Sequence, residues 1–204
     1  MRAVYGRWFG TKLLEHYFDV SRGTRPKKHR LKRRFSEQYR HGLCLYGHFN
    51  RARGLGVHDY YPGLDQFVTI LRDPFERATS GYFFMRKQAS VFKDKTTIPQ
   101  SGLEDYLRET RVSSLNFFPF EVTEANYREV LEERFLHVGI AEDLQESACA
   151  LASTLGLPSP QVGRLNGVQH TEDVSREVRD DFIARHELEY AVYEHAKRHY
   201  KSNR

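Results

Sequence analysis

Two residues eight positions apart, Arg72 and Ser80, stand in the stretch Val68-Thr69-Ile70-Leu71-Arg72-Asp73-Pro74, which continues through Glu76 and Arg77. An arginine offers a planar fork of donors that matches phosphate, and a serine adds a hydroxyl donor. The β-branched run FVTILR, 67–72, predicts a strand stopped by Asp73-Pro74. Pro74 suits the first position of a helix with Asp73 as its cap. Arg72 would then sit at the carboxyl edge of a sheet, where open α/β folds bind ligands. The helix is expected to turn free N–H groups and its positive end toward the same place. An arginine, a helix start and a hydroxyl make a phosphate site. The same residues admit a structural reading, in which Arg72 pairs with a nearby acid and Ser80 caps a carbonyl.

His48 follows Gly47 at the end of the apolar run LCLY, 43–46, a second predicted strand. Imidazole titrates near neutrality, so a neutral His48 suits proton abstraction at working pH. The alternative is a histidine that holds its loop by hydrogen bonds. His195 and His199, four apart on a predicted helix, lack a third ligand and read as a solvated face rather than a zinc site. Cys44 and Cys149 are too few for a disulfide framework and read as reduced thiols. Residues 22–34, RGTRPKKHRLKRR, hold eight Lys or Arg and no acid. Such a strip attracts anions: nucleic acid, a nucleotide cofactor, an acidic glycan or an anionic membrane surface. A solvated basic loop answers it equally. Only Phe35 and Tyr39 follow it, so it supplies no stacking platform for single strands.

These residues need a scaffold, and the composition provides one. The chain has 204 residues, a net charge of +5, 14 Phe and 12 Tyr, which excludes a wholly disordered protein and fits a single domain over 1–204. No apolar run approaches the ~20 residues of a membrane span. MRAVYGRWFG lacks the apolar stretch of a secretory signal, so a cytoplasmic location is expected. Helical periodicity is read over 1–19, from Val4, Trp8, Leu13 and Tyr17. Ser101 with Glu104 predicts a capping box ahead of LEDYLRE. NYREVLEERF, 126–135, is an amphipathic helix and FLHVGI, 135–140, a strand. Further helices are predicted over 143–157, closed by Gly156, and over about 174–200. Apolar strands alternating with helices argue for a parallel sheet covered on both faces. Two long loops, 20–42 and 88–100, are expected to act as lids or acceptor-binding segments.

LRDPFERATSGYFF resembles the RDPxxRxxS signature of sulfotransferases that use 3′-phosphoadenosine 5′-phosphosulfate, among them carbohydrate 2-O-sulfotransferases and bacterial members. YGHFNRARGLG, 46–56, resembles the GHF segment of that family, and FLHVGIAEDLQ its VGxxE strand. RLNGVQ, 164–169, and ELEYAVYEHA resemble its Asn-containing loop and final helix, with Glu189 where Asp is usual. The likeness covers nearly the whole chain. It implies a three-layer, P-loop-like α/β domain with a short central parallel sheet flanked by helices. Arg72 and Ser80 would hold the cofactor 3′-phosphate, Arg164 would contact the cofactor from a loop, and His48 would be the base. The implied reaction moves a sulfo group to a hydroxyl of a carbohydrate or other acceptor, anionic in one version, leaving 3′-phosphoadenosine 5′-phosphate. It needs no metal, and neither nucleic acid nor an integral membrane segment.

The family begins with a strand and a PKTGGTS-like loop that cradles the phosphosulfate. No such loop is in this sequence. In one reading Met1 falls just after it, so that RAVYGRWFG is the following helix and KLLEHYFDV the next strand. In the other, AVYGRWFGTKLL is a degenerate loop with Arg7 for the lysine. Lack of the loop also removes a central parallel strand, leaving an edge that something must cover. The alternative function is a non-catalytic nucleotide- or glycan-binding relative, and a Golgi-lumen location follows if an anchor precedes the chain.

Overall fold

A computed structural model describes residues 1–29, 31, 42–111, 113–163 and 173–202. It is a mixed α/β structure, about half helical, with two short parallel two-stranded sheets. Strand β1, Leu13–His16, pairs with β2, Cys44–Gly47, and β3, Val68–Leu71, pairs with β4, His137–Ile140. The expected single sheet is thus two separate pairs among the described residues.

Helix α1 spans only Arg2–Phe9, and the chain passes through a 3-10 turn, Gly10–Lys12, into β1. The helix predicted to residue 19 therefore ends early. Gly10 takes a φ of 51°, which breaks the spiral before Leu13 and Leu14 can extend it. Arg7 lies inside α1 and donates to the Gln161 carbonyl at 2.9 Å, so the degenerate-loop reading of this segment fails.

After β2 comes a single helical turn, α2, Val57–Tyr60, and then β3. Helix α3, Pro74–Lys87, starts as predicted: Asp73 accepts the Glu76 N–H at 3.0 Å and Pro74 opens the first turn. Helix α4, Leu103–Glu109, lacks the expected capping box. Gly102 is its N-cap, and Glu104 instead accepts the Ser175 N–H at 2.7 Å. Helices α5, Tyr127–Glu133, and α6, Leu144–Leu155, flank β4 in sequence, and Gly156 ends α6 with a φ of 63°.

The long final helix is two helices, α7, Arg176–Arg185, and α8, Glu187–Ser202. The break is His186, whose ring stacks on Phe182 and whose Nδ1 bonds the Phe182 carbonyl at 2.8 Å. That bond occupies a carbonyl the continuing helix would have used. One core joins Leu71 of β3, Ile140 of β4, and Val192 and Tyr193 of α8; a second packs Phe75 and Tyr82 of α3 against Leu107 and Phe182. Burying this apolar surface is the main force holding the strand exits in place. No helix among the described residues is long and apolar enough to cross a membrane.

Candidate functional site

His48 leaves the carboxyl end of β2, and its N–H donates to the His16 carbonyl at 3.3 Å, extending the β1–β2 ladder by one bond. Gly47 makes this possible. A Cβ there would lie 1.9 Å from the His16 carbonyl oxygen. The His48 residue is exposed at one side, while its ring meets Tyr17 edge-on at 5.2 Å and Phe117 at 6.0 Å. Burial against these neighbours, and then the charge of Arg77, lower its pKa below the usual histidine value. The neutral form is favoured, as a base requires.

Arg72 stands at the carboxyl end of β3, exposed, with no ion pair to any described residue. Ser80 lies two turns into α3, half-buried. The helix start between them differs from expectation. Pro74 has no N–H, the Glu76 N–H goes to Asp73, and the Asp73 N–H goes to Glu142 Oε1 at 2.9 Å. Two carboxylates therefore occupy the helix start, and a phosphate here would be held by the Arg72 and Ser80 side chains rather than by free backbone donors. Glu142 belongs to the VGxxE segment, and its bond ties the exit of β4 to the exit of β3. The glycine of that segment, Gly139, lies against Ile70 and Ser147, where a Cβ would come within 2.5 Å of Ile70 Cδ1. Arg164 lies outside the described residues.

Sequence reasoning missed Arg77. It is half-buried on the first turns of α3, with its guanidinium over Phe117 at 5.5 Å. Desolvation lowers its pKa, opposed by the charge of Glu189. Phe117 thus contacts both Arg77, in the first turns of α3, and His48, just beyond β2. Glu189 is 6% exposed and accepts both the N–H and the hydroxyl of Ser114 at 2.5 Å each. Those bonds hold the 3-10 turn Ser114–Phe117, and with it Phe117, beside α3. The second arginine of RDPxxRxxS was the available signal for Arg77; nothing local marked Phe117. His16 was missed as well. It is 1% exposed at the end of β1, stacked on Phe49 and bonded through Nδ1 to the Tyr61 hydroxyl at 3.3 Å.

A cavity of about 700 Å³ lies elsewhere, at the start of β4 between α5, α6 and α8, lined by His137, Cys149, His195 and His199 among others. His195 is not on a solvated face as expected; its Nε2 meets Glu132 Oε1 at 2.6 Å and its side chain is 17% exposed. No group of three or more His, Cys, Asp or Glu suited to a metal occurs among the described residues. Both cysteines are free.

No family model matches the chain, and no curated protein or solved structure does.

Proposed function

We propose that the protein is a sulfotransferase that uses 3′-phosphoadenosine 5′-phosphosulfate, acts on a hydroxyl, foremost of a carbohydrate, and is built as a reduced three-layer P-loop-like domain. One observation carries the reading: Phe117 packs between neutral-favouring His48, just beyond β2, and Arg77 of α3, the helix that carries Ser80 and follows Arg72 at the end of β3.

The donor, when bound, supplies the sulfuryl group and a phosphate leaving group. Arg72, exposed and free of an acid partner among the described residues, and Ser80 suit its 3′-phosphate. His48 takes the proton of the acceptor hydroxyl, and the Arg77 charge keeps the imidazole ready by disfavouring its protonated form. Phe117 shields one side of both groups from water.

A second reading is a nucleotide- or glycan-binding protein without turnover. Calorimetry with 3′-phosphoadenosine 5′-phosphate, paired with mass-spectrometric detection of sulfated acceptors, tests both. Arg72→Ala is expected to weaken nucleotide binding at least tenfold, and His48→Ala to abolish transfer while leaving that binding intact. Nucleotide affinity unchanged by Arg72→Ala removes the phosphate site. Binding without transfer by the unaltered protein leaves the second reading.

A further inference from the structure

The hairpin that follows β1 is joined to the segment that follows α3. Asp19 and Thr24 bridge to close a short hairpin, and Lys93 clamps it from the other loop: its N–H donates to the Val20 carbonyl at 2.9 Å and its Nζ to the Arg22 carbonyl at 3.2 Å. Farther along, His29 is fixed by the Tyr61 hydroxyl and by the Glu15 carbonyl. Arg22, Arg25, Lys27 and Lys28 are thereby held exposed on an anchored segment, with exposed Arg86, Lys87, Lys93 and Lys95 on the clamping side. The acids nearby are engaged within their own loops, and Asp19 also pairs with Arg22 at 3.7 Å. Asp19 accepts from Ser21 and the Arg22 amide, and Asp94 accepts from Thr96.

Exposed apolar side chains occur on the same two segments. Of the seven large apolar residues exposed among the described ones, five lie on these two segments: Phe18, Val20, Leu31, Phe84 and Val91. Phe84 is 58% and Val91 45% exposed. Backbone bonds from Gln88 to Phe84 and from Val91 to Gln88 link the two through the end of α3. A nucleic acid or an acidic glycan would use the cations but leave the apolar groups in water. A bilayer with anionic headgroups takes both, since cations meet lipid phosphates while Phe and Val enter the acyl boundary.

We propose that residues 18–29 and Leu31, joined to residues 84–95 at and beyond the end of α3, are a docking face for an anionic lipid surface. This goes beyond the proposed transfer reaction and does not depend on it. The experiment is vesicle co-sedimentation of the full chain, using neutral phosphatidylcholine vesicles and vesicles with about 30% phosphatidylserine, beside heparin and duplex DNA as soluble polyanions. Binding to the anionic but not to the neutral vesicles is expected, with each of Arg25→Gln, Lys27→Gln and Lys87→Gln weakening it about fivefold. The double variant Phe84→Ser/Val91→Ser is expected to weaken vesicle binding about tenfold or more, with heparin binding unchanged. These side chains are exposed, and thermal melting confirms that each variant folds. The proposal is overturned by no vesicle binding, by vesicle binding that the apolar pair does not affect, or by tighter binding to heparin or DNA than to the vesicles.

Discussion

Substituting Gly47 by alanine tests whether the β1–β2 pair positions His48. The new Cβ would sit 1.9 Å from the His16 carbonyl oxygen and 2.7 Å from its carbon, both backbone atoms that no side-chain rotation moves. Relief to the ~3.0 Å that real Cβ atoms tolerate requires the strands to part by roughly 1 Å at this point. The His48 N–H to His16 carbonyl bond, already 3.3 Å long, would not survive that shift. Overpacking of this kind costs about 1–3 kcal/mol and the lost bond about 1 kcal/mol more. For a domain of this size each kcal/mol moves Tm by roughly 2–4 °C, so Gly47→Ala should lower Tm by about 5–15 °C in calorimetry.

Gly81→Ala is the matched control, because Gly81 lies inside α3 with nothing within 4 Å of where an alanine Cβ would stand. Alanine there should raise stability by about 0.5–1 kcal/mol. The transfer assay should separate the two as well, since only Gly47→Ala displaces His48. Equal Tm shifts in the two variants, or a Gly47→Ala protein as stable as the parent, would refute the close-approach argument.

Three further outcomes follow from particular bonds. Ser147, fully buried, accepts the Ile140 N–H at 2.8 Å and donates to the Ile140 carbonyl at 3.0 Å, so Ser147→Ala strands a buried amide and should cost about 1–3 kcal/mol by urea unfolding. A loss under about 0.5 kcal/mol would mean that water replaces the hydroxyl. Glu189→Gln weakens the charged bonds to Ser114 and should cost about 2 kcal/mol, with reduced transfer as Phe117 loosens; unaltered stability would sever Glu189 from the site. His16, His48 and His137 all have pKa values lowered by burial, so the unfolded chain binds more protons than the native one below the ordinary histidine value. Stability contributed by their neutral forms is present above about pH 6.5 and falls as pH drops through that value toward the folded pKa values. The urea midpoint should therefore be lower at about pH 5.5 than at about pH 7.5, and less so in His16→Gln; a midpoint independent of pH would contradict the assignment.

Much of the fold was legible because its signals are local. FVTILR, Asp73-Pro74 and Gly156 each specify backbone geometry within a few residues, and β3, the start of α3 and the end of α6 fall where they say. The errors fall where tertiary bonds outweigh local preference. Glu104 was the acid of a plausible capping box, yet it reaches Ser175 across 71 positions. The run 174–200 has helical periodicity throughout, yet His186 satisfies a carbonyl with its ring and splits it. At residues 1–19 apolar spacing of four and five suited a helix, but Leu13–His16 gain a strand partner in Cys44–Gly47 that no local window contains.

The site divides along the same line. That Arg72 and His48 stand at strand exits and Ser80 on a helix was readable, because strand exits and helix starts are local constructions. The contact between His48 and Arg77 was not. Phe117 gathers His48 and Arg77 only because Glu189, 75 positions from Ser114, grips the turn that carries it. The resemblance placed Glu189 in a helix motif with an unexplained acid, and the structure gives that acid a physical role, because a buried carboxylate needs donors and Ser114 supplies two. Glu142 is the parallel case, an acid whose value lies in the Asp73 amide it engages and the two strand exits it joins. The same bond narrows where an anion can be held. Because carboxylates fill the start of α3, the proposed phosphate site would draw on the Arg72 and Ser80 side chains rather than the helix N–H groups, so removing the Arg72 guanidinium should abolish most of that affinity rather than a fraction.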